Sequence, residues 1–242
     1  MKIVINPQYN QLQTFIQQIP SLFNQEGELV YTARNQLKKF EVLGYQIIVK
    51  RYKVPHIINR IAYTFVRRPK AQRAYEYALE LLRRDVQSPA PIAYILDYKG
   101  GLLAYSYFIS IYEGEYADIR DLMLEHQQDD ELLKELAEYI AYFHSKGVLH
   151  LDMSPGNILY KKQTGNKTQF TLIDINRMQF PDSMPEEVRY KSFRRLSPKE
   201  SVLTKLATYY AEAAGLNKEN AITEINRYCA EFFNSRKFKR RK

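Results

Sequence analysis

The chain has 242 residues, 45% hydrophobic and 26% charged, enough for one domain or for two small lobes around a cleft. It has no apolar run long enough to cross a bilayer and no signal peptide at its start, which predicts a cytoplasmic protein. The single cysteine, Cys229, excludes an intramolecular disulfide and a cysteine-based zinc site. Its helical surroundings predict a buried, unreactive thiol.

The net charge is +9, from 36 Lys and Arg against 27 Asp and Glu, and the basic residues are clustered. The densest clusters are Arg67–Lys70, Arg189–Arg195 and the C-terminal tail Arg236–Lys242. Such a balance favours a polyanionic partner, such as an anionic membrane surface, a phosphorylated glycolipid or a nucleic acid. Because no nucleic-acid recognition motif accompanies the charge, we expect no specific nucleic-acid binding.

In chain order, residues 1–20 predict a short strand followed by a helix. Strands are then predicted near residues 27–31, 38–43 and 45–52, and together they indicate an antiparallel sheet. Residues 71–82 carry apolar side chains at helical spacing, which predicts a helix with one buried face. The expected buried positions are Ala71, Ala74, Tyr75, Ala78, Leu81 and Leu82.

Lys50 ends an apolar strand at the lysine position of the V-A-I-K pattern, whose lysine contacts nucleotide phosphates. Lys53 is the alternative. Side chains two residues apart share one face of a strand, so Ile48 lies beside Lys50 and narrows the expected adenine slot. In the helix that follows, we expect Glu76 to pair with Lys50, with Glu80 as the alternative.

Ser88–Pro91 ends that helix, because proline cannot continue it. Residues 92–98 and 102–112 then predict a hairpin. Its second strand leads into a predicted hinge, where backbone groups of Ser110 and Tyr112 are expected to bind the adenine edge of a nucleotide.

Asp129 or Asp130 is expected to cap a helix over residues 131–145. Two more helices are predicted near residues 198–214 and 218–234. The second half of the chain is therefore expected to be mostly helical.

Residues 150–157 read H-x-D-x-x-x-x-N, and residues 172–176 form an apolar strand with an acid at its end. This joint spacing is typical of protein-kinase-like phosphotransferases. Asp152 is expected to orient an acceptor hydroxyl and to receive its proton. Asn157 and Asp174 supply the oxygen atoms that Mg²⁺ prefers, and ATP is the expected nucleotide.

Several positions depart from the protein-kinase pattern. Leu151 stands where many protein kinases carry Arg, so we infer no switch that depends on a phosphorylated activation loop. Asn176 stands in the glycine place of D-F-G and is expected to adopt the left-handed conformation. Only Gln25–Glu28 loosely replaces a glycine-rich loop before Lys50, and no A-P-E motif follows. His150 is expected to be a hydrogen-bonding residue of the loop. These departures favour a small or lipid-linked acceptor over a protein.

The fold expected from these elements is α+β and bilobal, like that of protein kinases. Residues 1–112 would form an N-lobe with an antiparallel sheet. Residues 113–242 would form a mostly helical C-lobe with the catalytic loop and the basic C-terminal tail.

Six segments between residues 25 and 215 resemble the lipopolysaccharide core-sugar kinase family, the Kdo/WaaP group. They are Arg34–Asn35, Val49–Tyr52, Lys70–Glu76, Ser88–Ala93, His144–Asp152 and Leu172–Arg177. The resemblance implies an ATP- and Mg²⁺-dependent kinase that phosphorylates Kdo or heptose of a lipid A-linked core at the cytoplasmic membrane face. It carries over Asp152 as catalytic, Asn157 and Asp174 as metal ligands, Lys50 as phosphate contact and Glu76 as its partner. Where the family often has a basic residue and a Lys-Pro pair in the loop, this chain has Leu151 and Ser154–Gly156.

Two other interpretations stay open. A small-molecule kinase of the aminoglycoside or choline kinase type would have an acidic acceptor pocket, whereas this chain is strongly basic. A pseudokinase scaffold would bind nucleotide without turnover. The intact Lys50, Asp152, Asn157 and Asp174 argue against it, and the missing glycine-rich loop argues for it.

Overall fold

The computed structural model describes residues 1–33, 35–52, 63–64, 67–165 and 167–240, with side chains as far as Arg236. Arg34, part of the family resemblance, and Lys53, the alternative to Lys50, lie outside these residues. The chain divides into two compact units. The first is Met1–Arg83 with Ser88–Gly114, and the second is Arg84–Gln87 with Glu115–Lys242.

The first unit contains an antiparallel sheet of six strands, ordered β1-β5-β6-β4-β3-β2. The strands are β1 Lys2–Ile5, β2 Glu28–Thr32, β3 Gln36–Val42, β4 Tyr45–Tyr52, β5 Pro91–Lys99 and β6 Leu102–Ile111. The sheet predicted from the apolar runs is confirmed. Three of its five pairings, β2 with β3, β3 with β4 and β5 with β6, are hairpins, because successive antiparallel strands joined by short turns pair with each other. The other two, β1 with β5 and β4 with β6, join strands that are distant in sequence.

Strand β4 alternates between the two faces of the sheet. Ile47 and Val49 are fully buried, whereas Ile48 and Lys50 are partly exposed. Since the side-chain period of a strand is two, Ile48 and Lys50 share one face, as predicted. The register places Ile48 opposite Ser110 of β6.

Two helices of the first unit cover the two faces of this sheet. Helix α1 (Gln13–Leu22) follows the short 3-10 helix Pro7–Leu12 and packs into one core cluster with the buried residues of β4, β5 and β6. Helix α2 (Lys70–Arg83) packs on the other face, where the rings of Tyr75 and Tyr94 lie 5.4 Å apart.

Helix α2 buries Ala71, Ala74, Tyr75, Ala78 and Leu81. The prediction for Leu82 was wrong, because this side chain is 39% exposed. Consecutive residues of an α-helix are about 100° apart around its axis. Leu82 therefore lies at the edge of the buried face rather than in it.

The second unit is mostly helical. Its helices are α3 Arg120–Met123, α4 Asp130–Ser145, α5 Glu186–Ser192, α6 Glu200–Ala214 and α7 Lys218–Arg240. Its strands are β7 Ala117–Asp118, β8 Leu149–His150, β9 Ile158–Lys162, β10 Thr168–Leu172 and β11 Met178–Gln179. They form two small sheets, β10-β9-β7 and β11-β8. No helix in the described part of the chain is long and apolar enough to span a membrane.

Helix α4 leads directly to the predicted catalytic loop. The Asp129 carboxylate accepts the N–H of Leu132 at 2.9 Å, so Asp129 rather than Asp130 is the N-cap. Gly147, at φ +67°, follows the helix in the left-handed region. A Cβ atom there would lie 2.9 Å from the carbonyl oxygen of Pro181, so this turn requires glycine.

Candidate active site

His150 anchors the catalytic loop from within the protein. It is fully buried and lies opposite Met178 in the two-stranded sheet of β8 and β11. Its Nε2 donates to the carbonyl oxygen of Ile173 at 3.1 Å, and its Nδ1 accepts the N–H of Asp152 at 3.1 Å. Burial lowers the pKa of His150, which keeps the ring neutral. His150 therefore has the structural role that the sequence predicts.

Asn157 and Asp174 are brought together by the pairing of the segments that carry them. The N–H of Ile173 donates to the carbonyl oxygen of Asn157 at 3.0 Å. The Asn157 side chain donates its Nδ2–H to the carbonyl oxygen of Asp152 at 2.8 Å. That bond directs the NH₂ group of Asn157 towards the loop backbone. The side-chain oxygen, Oδ1, is then the atom that can bind a cation.

This donor set fits the predicted Mg²⁺. One amide oxygen and one carboxylate are ligands of the type that Mg²⁺ prefers. Mg²⁺ usually keeps several waters and takes phosphate oxygens as its other ligands, so two protein ligands are sufficient. The residues that would hold it are Asn157 and Asp174.

The turn after β10 corrects one prediction. Asp174, not Asn176, is the left-handed residue, with φ 53° and ψ 41°. Asn176 lies in the 3-10 helix Ile175–Arg177, which requires right-handed torsions. Its buried amide donates to Oδ1 of Asp174 at 2.7 Å and thereby orients that carboxylate. Aspartate, like asparagine, tolerates the left-handed region better than most residues do.

Two arginines at the predicted catalytic acid were missed by the sequence reasoning. The Asp152 carboxylate contacts Nη1 of Arg195, and Nη1 of Arg177 lies 3.8 Å from its other oxygen. Burial and the neighbouring Arg236 lower the pKa of Arg195. The sequence did mark both arginines, since Arg177 ends the Leu172–Arg177 motif and Arg195 ends a dense basic cluster. Nothing in the sequence, however, connects either residue to Asp152.

Glu76 has partners that the sequence reasoning did not identify. Its carboxylate accepts from Nη1 of Arg68 at 3.1 Å and from the side-chain amide of Gln72 at 2.8 Å. Glu80, the alternative, pairs with an arginine one turn later in the same helix. The expected pair between Glu76 and Lys50 stays a prediction.

The predicted hinge uses its backbone N–H groups within the first unit. Ile111 donates to the carbonyl oxygen of Ala90 at 3.0 Å, and Tyr112 donates to that of Gln46 at 2.9 Å. Ser110 is buried within the sheet. The N–H of Tyr112 is therefore already bonded within the first unit. Of the backbone contacts predicted for Ser110 and Tyr112, the one at Tyr112 would be made by its carbonyl oxygen.

Gln25–Glu28 leads into β2, and its expected role as a loose stand-in for a glycine-rich loop stays a prediction. Gly27, at φ +83°, is required by packing, because a Cβ atom there would lie 2.5 Å from the ring of Phe40. The next turn joins β2 to β3, and in it the N–H of Ala33 donates to the carbonyl oxygen of Asn35 at 3.0 Å.

The fold has a close counterpart among solved structures. The structure titled "WaaP in complex with acyl carrier protein" superposes with a TM-score of 0.64 over 96% of this chain and 100% of that chain, at 14% identity. The fold and the H-x-D-x-x-x-x-N loop thus place the chain in the protein-kinase-like superfamily. Residues 25–216 match the model of the lipopolysaccharide kinase (Kdo/WaaP) family, and the chain belongs to that family.

Similar proteins of known sequence include protein kinases. Ribosomal protein S6 kinase alpha-2 of Mus musculus is 30% identical over 108 residues, which are 44% of this chain and 15% of that protein. Serine/threonine-protein kinase PknD of Protochlamydia amoebophila (strain UWE25) is 32% identical over 87 residues, 36% of this chain and 8% of that protein. The chain thus spans a small part of the length of these relatives.

Proposed function

We propose that this protein transfers the γ-phosphoryl group of ATP to a hydroxyl of an inner-core sugar of lipopolysaccharide, either Kdo or heptose. The observation that carries the proposal is the catalytic loop. His150 and Asn157 each hold the backbone of Asp152 by a hydrogen bond, in a chain of the Kdo/WaaP family.

The loop suits Asp152 to the role of the residue that receives the acceptor proton. Bonds to the Asp152 N–H and carbonyl oxygen fix its backbone from both sides, and its carboxylate is mostly buried. Phosphoryl transfer depends chiefly on positioning and charge neutralisation, so a rigid carboxylate is what the reaction requires. Mg²⁺, when bound, neutralises charge on the nucleotide phosphates.

The first unit would bind the nucleotide. Lys50 at the end of β4 would contact its phosphates, and Glu76 of α2 would hold that lysine. The carbonyl oxygen of Tyr112 would face the adenine edge. The strand register and the position of α2 on the sheet support these assignments.

The basic character of the second unit supports an anionic glycolipid as acceptor. Arg177 and Arg195 flank Asp152, and Nη2 of Arg194 lies 3.4 Å from the carbonyl oxygen of Leu151. An acidic acceptor pocket, as expected for aminoglycoside or choline kinases, does not agree with this cluster. A chain of net charge +9 is also attracted to the anionic cytoplasmic face of a membrane.

The proposal is tested by ADP release from ATP and Mg²⁺ with a panel of acceptors. The panel contains a Kdo-bearing lipid A, a heptosylated core, choline and an aminoglycoside. We expect release to depend on a core sugar and to be lost in Asp152→Ala but kept in the control Asp182→Ala, which changes an exposed aspartate. Release with choline or the aminoglycoside alone would contradict the acceptor class, and nucleotide binding without any release would favour a scaffold.

A further inference from the structure

The catalytic loop contains no positive charge of its own. Between Asp152 and Asn157 the chain reads Met-Ser-Pro-Gly, and Leu151 precedes them. Negative charge spreads over the transferred phosphoryl group in the transition state, and enzymes of this type place cations against it. A cation for this place has to come from outside the loop.

Arg195 is a basic residue held against Asp152 itself. Its guanidinium contacts Oδ1 of Asp152, and its side chain is 24% exposed. The ring of Phe232 from α7 lies 5.5 Å from its guanidinium carbon, so an aromatic face supports it.

Arg177 is held less firmly, because it is 60% exposed and lies 3.8 Å from the carboxylate. The guanidinium of Arg120 also lies at the loop, against Gly156, but it is paired with Asp118 at 2.6 Å.

We propose that Arg195 supplies the missing charge by contacting the phosphoryl group while it is transferred. The inference rests on the proposed function and adds a catalytic residue to it. In the step, the acceptor hydroxyl gives its proton to Asp152 and forms a new bond to the γ-phosphorus. The bond from that phosphorus to ADP breaks, and ADP leaves with the electron pair. The contact with Asp152 would hold the Arg195 guanidinium beside the carboxylate that receives the proton.

A purely structural role makes a different prediction. If Arg195 only balanced the charge of Asp152, removing it would disturb the carboxylate without affecting how a bound phosphoryl mimic is held. Contact with the phosphoryl group requires that the mimic be bound less tightly. Aluminium fluoride bound beside ADP imitates the phosphoryl group during transfer. Comparing the affinity for ADP alone with the affinity for ADP–aluminium fluoride therefore separates the two roles.

The experiment compares Arg195→Ala, Arg195→Lys and the control Arg227→Ala in the full chain with Mg²⁺. Arg227 is an arginine paired with carboxylates on α7. For Arg195→Ala we expect unchanged ADP affinity, with a loss of about 10²-fold both in affinity for ADP–aluminium fluoride and in ATP hydrolysis. Lysine should recover part of the loss, and added methylguanidinium should restore hydrolysis in the alanine variant.

The proposal would be overturned if Arg195→Ala and the native protein bound ADP–aluminium fluoride with equal affinity. It would also be overturned if the substitution lowered the affinity for ADP as much as the affinity for ADP–aluminium fluoride. If the alanine variant does not fold, Arg195→Gln gives the same comparison with a neutral side chain. Hydrolysis uses water as acceptor, so the test does not depend on the sugar. If Arg195→Ala binds the mimic less tightly but the native protein phosphorylates no core sugar, the role of Arg195 would be supported and the proposed acceptor refuted.

Discussion

The side-chain amide of Asn157 donates a hydrogen bond to the backbone carbonyl oxygen of Asp152 over 2.8 Å. Asn157→Asp keeps an oxygen for a cation but loses this donor and places a negative charge beside the carbonyl. We expect a loss of about 1 kcal/mol in the free energy of unfolding and slower ATP turnover. Urea unfolding and the Mg²⁺ dependence of ATP hydrolysis measure the two effects.

The matched control for this change is Asn234→Asp, on an exposed position of α7. We expect it to leave both quantities unchanged. An Asn157→Asp protein as stable and as active as the native one would show that the bond across the loop has no role.

The ion pair between Arg68 and Glu76 is exposed, with 68% and 35% of the side chains accessible. Such pairs contribute at most about 1 kcal/mol, so Glu76 can exchange Arg68 for Lys50 at small cost. Arg68→Gln removes the competing cation. We expect ATP affinity to rise between about two- and five-fold with little change in stability.

Isothermal titration with ATP and Mg²⁺ measures that affinity. Arg83→Gln, which breaks the pair with Glu80 on the same helix, is the control. Glu76→Gln should weaken ATP binding. Weaker ATP binding by Arg68→Gln would contradict the exchange and would make Arg68 itself a binding residue.

Two buried histidines make the protein sensitive to acid. Burial lowers the pKa of His144 to about 3 and also lowers the pKa of His150. The unfolded chain takes up these protons below about pH 6.5, whereas the folded chain does not, so stability falls as the pH falls below that value. Between pH 6.5 and 5 the buried His144 should remove about 1.6 kcal/mol, and His150 acts in the same direction.

Urea unfolding at pH 7, 6 and 5 tests this dependence. His144→Gln should lower stability at pH 7, because His144 bonds the hydroxyl of Tyr210 at 2.8 Å, but it should also reduce the loss on acidification. His126→Gln, at an exposed position, is the control. The same acid dependence in native and His144→Gln protein would contradict the assignment to this residue.

Cys229 is expected to be inert in the folded protein. The thiol is fully buried, its Sγ lies 3.2 Å from the carbonyl oxygen of Phe193, and burial raises its pKa to about 12. Reaction with a thiol reagent at pH 8 should therefore require unfolding. Rapid stoichiometric modification of the native protein would show that the thiol is accessible.

The sequence was most informative where chemistry and periodicity act together. The joint spacing of residues 150–157 and 172–176 was sufficient to locate the catalytic loop and its partner strand. Alternation along Tyr45–Tyr52 placed Ile48 and Lys50 on one face. Both patterns are local, so the order of residues contains the information needed.

What the sequence did not reveal depends on contacts between distant segments or on backbone torsions. Arg195 reaches Asp152 because the 3-10 helix Phe193–Arg195 packs near α7, which no local pattern encodes. The left-handed residue is Asp174 rather than Asn176, and the two side chains share a hydrogen bond. Both residue types suit such a turn, so composition alone does not choose between them.

The central claim is that Asp152 supports the transfer of phosphate to a core sugar of lipopolysaccharide. The most direct measurement follows labelled γ-phosphate from ATP, with Mg²⁺, onto a Kdo-bearing lipid A and onto its heptosylated form. We predict that the native protein labels one of these acceptors and that Asp152→Ala reduces the rate by at least about 10²-fold while still binding ATP. Absence of label on both acceptors, or equal labelling by Asp152→Ala, would contradict the account.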